Sequence, residues 1–361
     1  MTMSFADLNT TWFALIGLLW AGYFFLEGFD FGVAVITPFV ASDETDRRIC
    51  MNSVGPVWDG NEVWLIVAGG ATFAAFPLWY ANLFSGFYLA LFLILVALIL
   101  RGLSFEFRNK DSRASWRRSW DVANFVGSII PAIVWGAAFT DLAHGLPLTA
   151  SGQYDGGLLG LLHPIALVGG LASLSLFALH GSVFLSLKTD GDLAERAGQA
   201  VRFCGTAAVV LLGATVVWVA LAGRPAATGA ITGALPLVLS IAAVLLIVAS
   251  TLVAKRDRFG WAFLATGAAI IVVMGAVFAR MFPDVLPASN AGANALTIAR
   301  ASSLHNTLNV MTIVAAIFTP FVLAYQGWTY WVFRQRLVRP ADAGTAPGRI
   351  DIGEVPLIAE H

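Results

Sequence analysis

Charged side chains are scarce in this sequence. Asp, Glu, Lys and Arg together make up 12% of its 361 residues, against about 25% in ordinary soluble domains. The net charge of −1 leaves no excess of base for a polyanion, which excludes a nucleic-acid partner. Cysteine is nearly absent. Cys50 and Cys204 are the two there are, too few for a disulfide scaffold or a thiolate metal site. There is no HExxH pair, no Walker A loop and no dinucleotide-binding glycine fingerprint, and no internal repeat is visible. The first eleven residues carry Asp7 and no Lys or Arg, unlike the basic start of a cleaved secretory signal, so the first apolar run is expected to be retained.

Apolar residues are abundant, at 58% against a usual ~45–50%, and the mean hydropathy is +0.79. A soluble fold of this length could not hide so much apolar surface, so the chain reads as an all-α polytopic membrane protein. Nine runs, at 12–40, 53–77, 79–104, 120–143, 158–187, 196–222, 230–254, 259–282 and 303–333, reach the ~20 residues needed to cross ~30 Å of hydrocarbon. The second is interrupted by Asp59, Asn61 and Glu62; taken as a surface loop, it would leave eight spans. Residues 1–339 read as the transmembrane domain and 340–361, rich in Pro, Ala and Gly, as a flexible cytoplasmic tail.

Basic residues orient the nine spans. Arg47 and Arg48 fall between the first two, and Arg101, Arg108, Lys110, Arg113, Arg117 and Arg118 between the third and fourth. Lys188, Arg196 and Arg202, then Lys255, Arg256 and Arg258, and finally Arg334, Arg336, Arg339 and Arg349 lie on the same side. Of 21 basic residues, Arg224, Arg280 and Arg300 are the three on the other side. The positive-inside rule makes the crowded side cytoplasmic, with the N-terminus outside and the C-terminus inside. Both cysteines then lie near the reducing face and are expected as free thiols.

Each ionisable group inside a span costs about 2.5–3.5 kcal/mol unless paired or solvated. Apart from Asp121 and Asp141 at the two ends of the fourth run, four of the 22 acids lie within the runs: Glu27 and Asp30 in the first, Asp59 and Glu62 in the second. Each pair is spaced i, i+3, on one helix face. Glu27 is about 22 Å along a helix entering from outside, and Asp59 and Glu62 occupy the first turns of one entering from the cytoplasm. All four converge on the cytoplasmic half, where carboxyls can take up protons or hold a cation; caps and interhelical hydrogen bonds are the alternative. The flanking Gly28-Phe29-Asp30-Phe31-Gly32 and Gly55-Pro56-Val57-Trp58-Asp59-Gly60-Asn61 are expected to loosen or kink their helices, or to serve packing alone. Arg101, Glu106 and Arg108 read as basic anchoring with a local structural ion pair. Trp12, Trp79, Trp116, Trp120, Trp328 and Trp331 sit at span ends, as interfacial tryptophans do.

Five histidines raise the haem question. His144, His163 and His305 lie near outer span ends, His180 near an inner end, and His361 in the tail. His163 and His180 are about 25 Å apart along one helix and cannot share an iron. No metal site is expected in this chain.

The runs Gly28-Phe29-Asp30-Phe31-Gly32, Trp58-Asp59-Gly60-Asn61-Glu62-Val63-Trp64-Leu65-Ile66 and Phe73-Ala74-Ala75-Phe76-Pro77 resemble subunit II of the cytochrome bd-type quinol oxidases. So do Phe84-Ser85-Gly86-Phe87-Tyr88, Arg101 with Phe105-Glu106-Phe107-Arg108, and Leu308-Asn309-Val310-Met311-Thr312. The resemblance covers nearly the whole chain except the tail. It implies two four-helix bundles plus one peripheral helix, and a bacterial plasma-membrane heterodimer that oxidises quinol and reduces dioxygen to water. Two haem b groups and haem d would be ligated by subunit I. Subunit II would support assembly and proton and oxygen access, with room for a structural quinone, membrane lipid and small accessory subunits. By motif, Asp59 carries over as a proton-path residue, Glu27 as an acid of that path, and Trp64 as an oxygen-route residue; Asp30 and Glu62 join the path by position.

A secondary transporter with an intramembrane carboxylate site also uses acids and interrupted helices, but it would show internal repeats. A self-sufficient haem carrier is disfavoured by the histidine spacing. The topology is checked by fusion: alkaline phosphatase joined near Asp155 is expected to be active in cells, and joined after Arg339 inactive. Activity of both fusions would overturn the nine-span reading.

Overall fold

The computed structural model describes residues 8–154, 156–222, 230–290, 295–339 and 349–351. In chain order it contains α1 (Leu8–Val40), α2 (Glu44–Val54), α3 (Trp58–Ala75), α4 (Pro77–Gly86), α5 (Tyr88–Phe107) and α6 (Ala114–His144). A one-turn α7 (Gly157–Gly160) leads to α8 (Pro164–Lys188), α9 (Gly191–Ala222), α10 (Ala230–Ala254) and α11 (Phe259–Met281). The antiparallel pair β1 (Asp284–Leu286) and β2 (Leu296–Thr297) and the short α12 (Ile298–Ala301) precede α13 (His305–Val332). A parallel pair, β3 (Arg336–Val338) and β4 (Arg349–Asp351), follows.

Among the described residues eight helices are long and apolar enough to cross a membrane: α1, α5, α6, α8, α9, α10, α11 and α13. The ninth expected run is α3, with 18 residues, about 27 Å. Asp59 and Glu62 in its first turns make it more polar than the eight. It nonetheless packs on α1, burying Asn61, Ala68, Thr72 and Ala75 along one stripe. The expected run 79–104 is not one helix. Pro77 cannot donate to the helix before it, so α3 ends at Phe76 (φ −135°, ψ 68°) and α4 begins on the proline. A second break at Phe87 (φ −99°, ψ 15°) separates α4 from α5.

The long helices pack as two groups of four. α1, α3, α5 and α6 form one; α8, α9, α10 and α11 form the other, with α1 and α6 packing across onto α8 and α11. α13 lies against α1 and α3 at the periphery, with Leu308 its one fully buried residue. The crossing of α1 and α8 is backbone to backbone. A Cβ on Gly32 would lie 1.9 Å from the Phe177 carbonyl oxygen, and one on Gly181 would lie 2.3 Å from the Gly32 carbonyl carbon. The glycines of 28–32 therefore serve close packing, the second of the two expected roles, and α1 runs through them as one continuous helix. The second glycine run does break the chain, as the turn between α2 and α3.

Two tryptophans are not interfacial. Trp12 is buried and donates from Nε1 to Thr312 Oγ1 at 3.0 Å, tying α1 to α13. Trp79 is buried among Phe13, Phe76 and Phe278. The ring of each is consumed in packing, which leaves no edge for the membrane interface. Both cysteines are free thiols and buried. Arg224 and most of the expected tail lie outside the described residues.

At the end that carries Arg47, Arg48, Arg117 and Arg196, the α1–α2 turn is clasped by later parts of the chain. The buried Asp46 carboxylate accepts from Ser42 N at 2.9 Å, Ser42 Oγ at 2.8 Å, Arg196 Nη2 at 2.6 Å and Arg339 Nη2 at 2.6 Å. Lys188 caps the end of α13 by donating to the carbonyls of Phe333 and Gln335. Burial opposes ionisation of Asp46, but the Ser42 backbone and hydroxyl donors and the Arg339 guanidinium outweigh it and hold the carboxyl below its ordinary value. A depressed folded pKa contributes stability above the unfolded value near ~4, which is lost as pH falls through the folded value. Asp46→Ala is therefore expected to destabilise the purified protein by roughly 2–3 kcal/mol at neutral pH, the scale of charge-assisted hydrogen bonds. The thermal midpoint should converge with that of the parent in strong acid; a constant gap at every pH would contradict this account.

Candidate functional site

Glu27 and Asp30 are one helical turn apart on α1 and project toward α3 and α5, on the flank opposite the glycine contact with α8. Arg101, four residues before the buried Phe105 on α5, reaches into the same space. Its Nη1 lies 2.5 Å from Glu27 Oε1 and 3.1 Å from Glu62 Oε2, and its Nη2 lies 3.9 Å from Asp30 Oδ2. The side chains of Arg101, Glu27 and Asp30 are fully buried, and that of Glu62 is 25% exposed. Phe31 and Phe105 face the guanidinium with ring centroids 5.0 and 5.5 Å from its central carbon, and Trp58 stacks on Phe105. These rings dry the site and favour the cation between them.

One guanidinium neutralises one carboxylate. Three ionised carboxyls around Arg101 would leave two uncompensated negative charges among aromatic rings, at a cost of several kcal/mol each. The cluster must therefore hold protons as well as the cation. Hydrogen-bonding capacity remains for them: among the described residues, Asp30 Oδ1 and both Glu27 oxygens carry no well-aligned hydrogen bond. Asp30 Oδ2 accepts from Asn61 Nδ2 at 2.8 Å. Such a cluster can exchange protons with water at its Glu62 edge and store them at its buried end.

Glu27, Asp30 and Glu62 thus come together, whereas Asp59 is exposed at the start of α3, one turn before Glu62. Trp64 is half-buried farther along α3, its ring against Gly22 of α1. The expected ion pair among Arg101, Glu106 and Arg108 is corrected. Glu106 is exposed, while Arg101 takes the acids above. Arg108 is bidentate to Glu44, at 2.9 and 3.0 Å, and also binds Asp121 at 2.5 Å. Sequence proximity misled here because Glu106 sits well round the helix from Arg101, and Arg108, two turns on and past the end of α5, meets Glu44 and Asp121 instead. The central role of Arg101 had one signal in the sequence, a lone cation at the end of an apolar run with three acids at matching depth. Asn61, which joins the same hydrogen-bond system, was visible only as a polar interruption of its run, and its partners Gln326 and Tyr330 had no signal.

Among the described residues no group of three His, Cys, Asp or Glu side chains could hold a metal ion. His180 is buried with both ring nitrogens engaged, by Thr266 Oγ1 at 2.6 Å and Phe25 O at 3.2 Å. His163 Nε2 lies 2.9 Å from Asp141. A cavity of about 540 Å³ lies between α6 and helices α8 to α11, lined by Phe24, Trp135, Phe139, Phe177 and Met274, with Arg280 among its few polar groups.

A family profile described as "Cytochrome bd terminal oxidase subunit II" matches residues 8–333. The chain is 39% identical over 333 residues to "Cytochrome bd ubiquinol oxidase subunit 2" of Bacillus subtilis (strain 168), covering 92% of this chain and 97% of that protein. It is 34% identical over 362 residues to "Cytochrome bd-I ubiquinol oxidase subunit 2" of Escherichia coli (strain K12), covering 92% and 96%. The fold is similar to a chain of the bd oxidase from Geobacillus thermodenitrificans, with a TM-score of 0.72, 17% identity and coverage of 90% and 97%.

Removing the cation isolates its contribution. Arg101→Ala is expected to destabilise the protein by about 3–5 kcal/mol, the cost of leaving buried charge unpaired. Adding Glu27→Gln should recover part of that by removing one of the stranded acids. Thermal midpoints of the two variants check this, and a double variant no more stable than Arg101→Ala would argue against the charge balance described.

Proposed function

We propose that this chain, which belongs to the cytochrome bd terminal oxidase subunit II family, is the proton-feeding subunit of a membrane quinol oxidase. Two quinols give up four electrons and four protons, and dioxygen takes four of each to form two waters. Drawing the consumed protons from the cytoplasm charges the membrane without a pump. The observation that carries this reading is the Arg101 cluster, three carboxyls and one cation, dry at one end and open at Glu62. Asp59 is the entry, Glu62 the first acceptor, and Glu27 and Asp30 the buried end of the path. Arg101 holds the site's charge balance as successive protons arrive.

The two b haems and the d haem belong to subunit I in this reading, which accords with His180 being engaged on both nitrogens and His163 facing Asp141. The face of α3 that exposes Asp59 and Glu62 takes that subunit. A bilayer against it would cost about 2.5–3.5 kcal/mol per carboxylate, whereas a polar protein surface would receive the protons. Trp64, on the same helix, belongs to an apolar oxygen route. The aromatic cavity near Arg280 suits a structural quinone: its rings can pack a quinone head and its guanidinium can donate to a carbonyl oxygen. The end that gathers Arg108, Arg117, Arg196 and Arg339 faces the cytoplasm of a bacterial cell, with the N-terminus outside. Within the expected tail, Arg349–Asp351 pairs with β3 as β4 at that end.

Asp59→Asn keeps shape and hydrogen-bonding capacity but cannot ionise. The variant is expected to assemble with its haems, keep quinol binding and lose roughly tenfold or more of its turnover, equivalent to about 1.4 kcal/mol on the barrier. Asp59→Glu should recover part of the loss. Wild-type oxygen consumption by fully assembled Asp59→Asn would remove Asp59 from the path.

A further inference from the structure

The amide of Asn61 is occupied on both sides. Its Oδ1 accepts from the Tyr330 hydroxyl at 2.8 Å and from Gln326 Nε2 at 2.9 Å, and its Nδ2 donates to Asp30 Oδ2 at 2.8 Å. Asn61 is fully buried on α3, while Gln326 and Tyr330 are half-buried on a helix otherwise largely exposed. Gln326 fits against Gly60, where a Cβ would come within 3.7 Å of its amide oxygen, and the Tyr330 ring meets Phe29 edge to face. Two donors from α13 thus turn the Asn61 oxygen outward and aim its N–H at Asp30.

That orientation has a consequence at the carboxyl. An N–H donor occupies Asp30 Oδ2, and a proton cannot sit on the same lone pair. Oδ2 keeps a second lone pair, but the Arg101 Nη2 stands 3.9 Å from that oxygen, whereas Asp30 Oδ1 carries no hydrogen bond among the described residues and is the more basic of the two, the one that takes a proton. Asn61 itself is no carrier, since an amide neither gains nor loses a proton near neutral pH. We infer that Asn61, fixed by Gln326 and Tyr330, is a positioning residue that makes Asp30 Oδ1 the proton-accepting atom, so that the peripheral helix α13 helps to set the proton site. The inference rests on the proton-uptake reading of the cluster. If Gln326 and Tyr330 instead served only to anchor α13, their loss would affect assembly and leave proton chemistry unchanged.

The test uses the assembled complex, with haem content measured for each variant, in three variants: Asn61→Ala, the double variant Gln326→Leu with Tyr330→Phe, and Asp30→Asn. Oxygen consumption with a short-chain quinol gives kcat, KM and the pH profile, and infrared difference spectra follow the carboxyl C=O stretch that Asp30→Asn abolishes. Asn61→Ala is expected to lower kcat roughly tenfold at unchanged KM for quinol, displace the pH profile and shift the Asp30 band. The double variant, which leaves Asn61 in place, should do the same to a lesser degree, and it decides the matter if Asn61→Ala does not assemble. Wild-type kcat with an unmoved band and pH profile in the assembled variants would overturn the inference. Wild-type turnover in Asp30→Asn would be a different failure, removing the proton-uptake reading itself, even where the Asn61 variant still shifted the band.

Discussion

The arrangement of the first bundle follows from burying Arg101. A guanidinium cannot be left unpaired in a low-dielectric interior, and on α5 it has no water to reach. Its partners come from two other helices, Glu27 and Asp30 on α1 and Glu62 on α3. One side chain thus fixes the relative depth of three helices, because a shift of a single turn, about 5.4 Å, would break every contact. In a membrane, where apolar helix faces gain little by meeting one another rather than lipid, such polar registration specifies packing that hydrophobic burial alone would leave loose.

The same charge count links structure to chemistry. A balanced pair would be inert, while an excess of carboxyls around one cation is neutral only when protons are present. The rings of Phe31, Phe105 and Trp58 close over the buried end, so Glu62 is the member of the cluster that water reaches. Asn61 then connects this centre to α13, a helix whose exposed flank meets lipid or protein.

Much of this was legible in the sequence. Apolar runs found the long helices, the clustering of basic residues gave one crowded end, and the i, i+3 acids of α1 gave the face that meets Glu62, though not Asp59. Legibility failed where a residue's partner is distant in sequence. Arg101 was read with Glu106, five residues away, because local spacing cannot reveal that Glu27 lies opposite. Trp12 and Trp79 were read as interfacial from their positions at span ends, yet each is needed to fill space between helices brought together by the fold. The break at Phe87 was missed for another reason. Ser85 and Gly86 precede it, a weak turn signal inside a run apolar enough overall to be read as one span.

The contact between Gly32 and Gly181 has a mechanical counterpart to these arguments. Side chains that meet in a core can change rotamer and absorb small errors in helix position; two backbones in contact have nothing to adjust. The distance between α1 and α8 is in that sense a hard stop. Because Glu27 and Asp30 ride on the opposite flank of the same helix, their positions are referenced to the second bundle through this stop rather than through deformable packing. A wedge as small as one methyl group at residue 32 would displace the carboxyl cluster with little attenuation, although it would be introduced on the opposite side of α1.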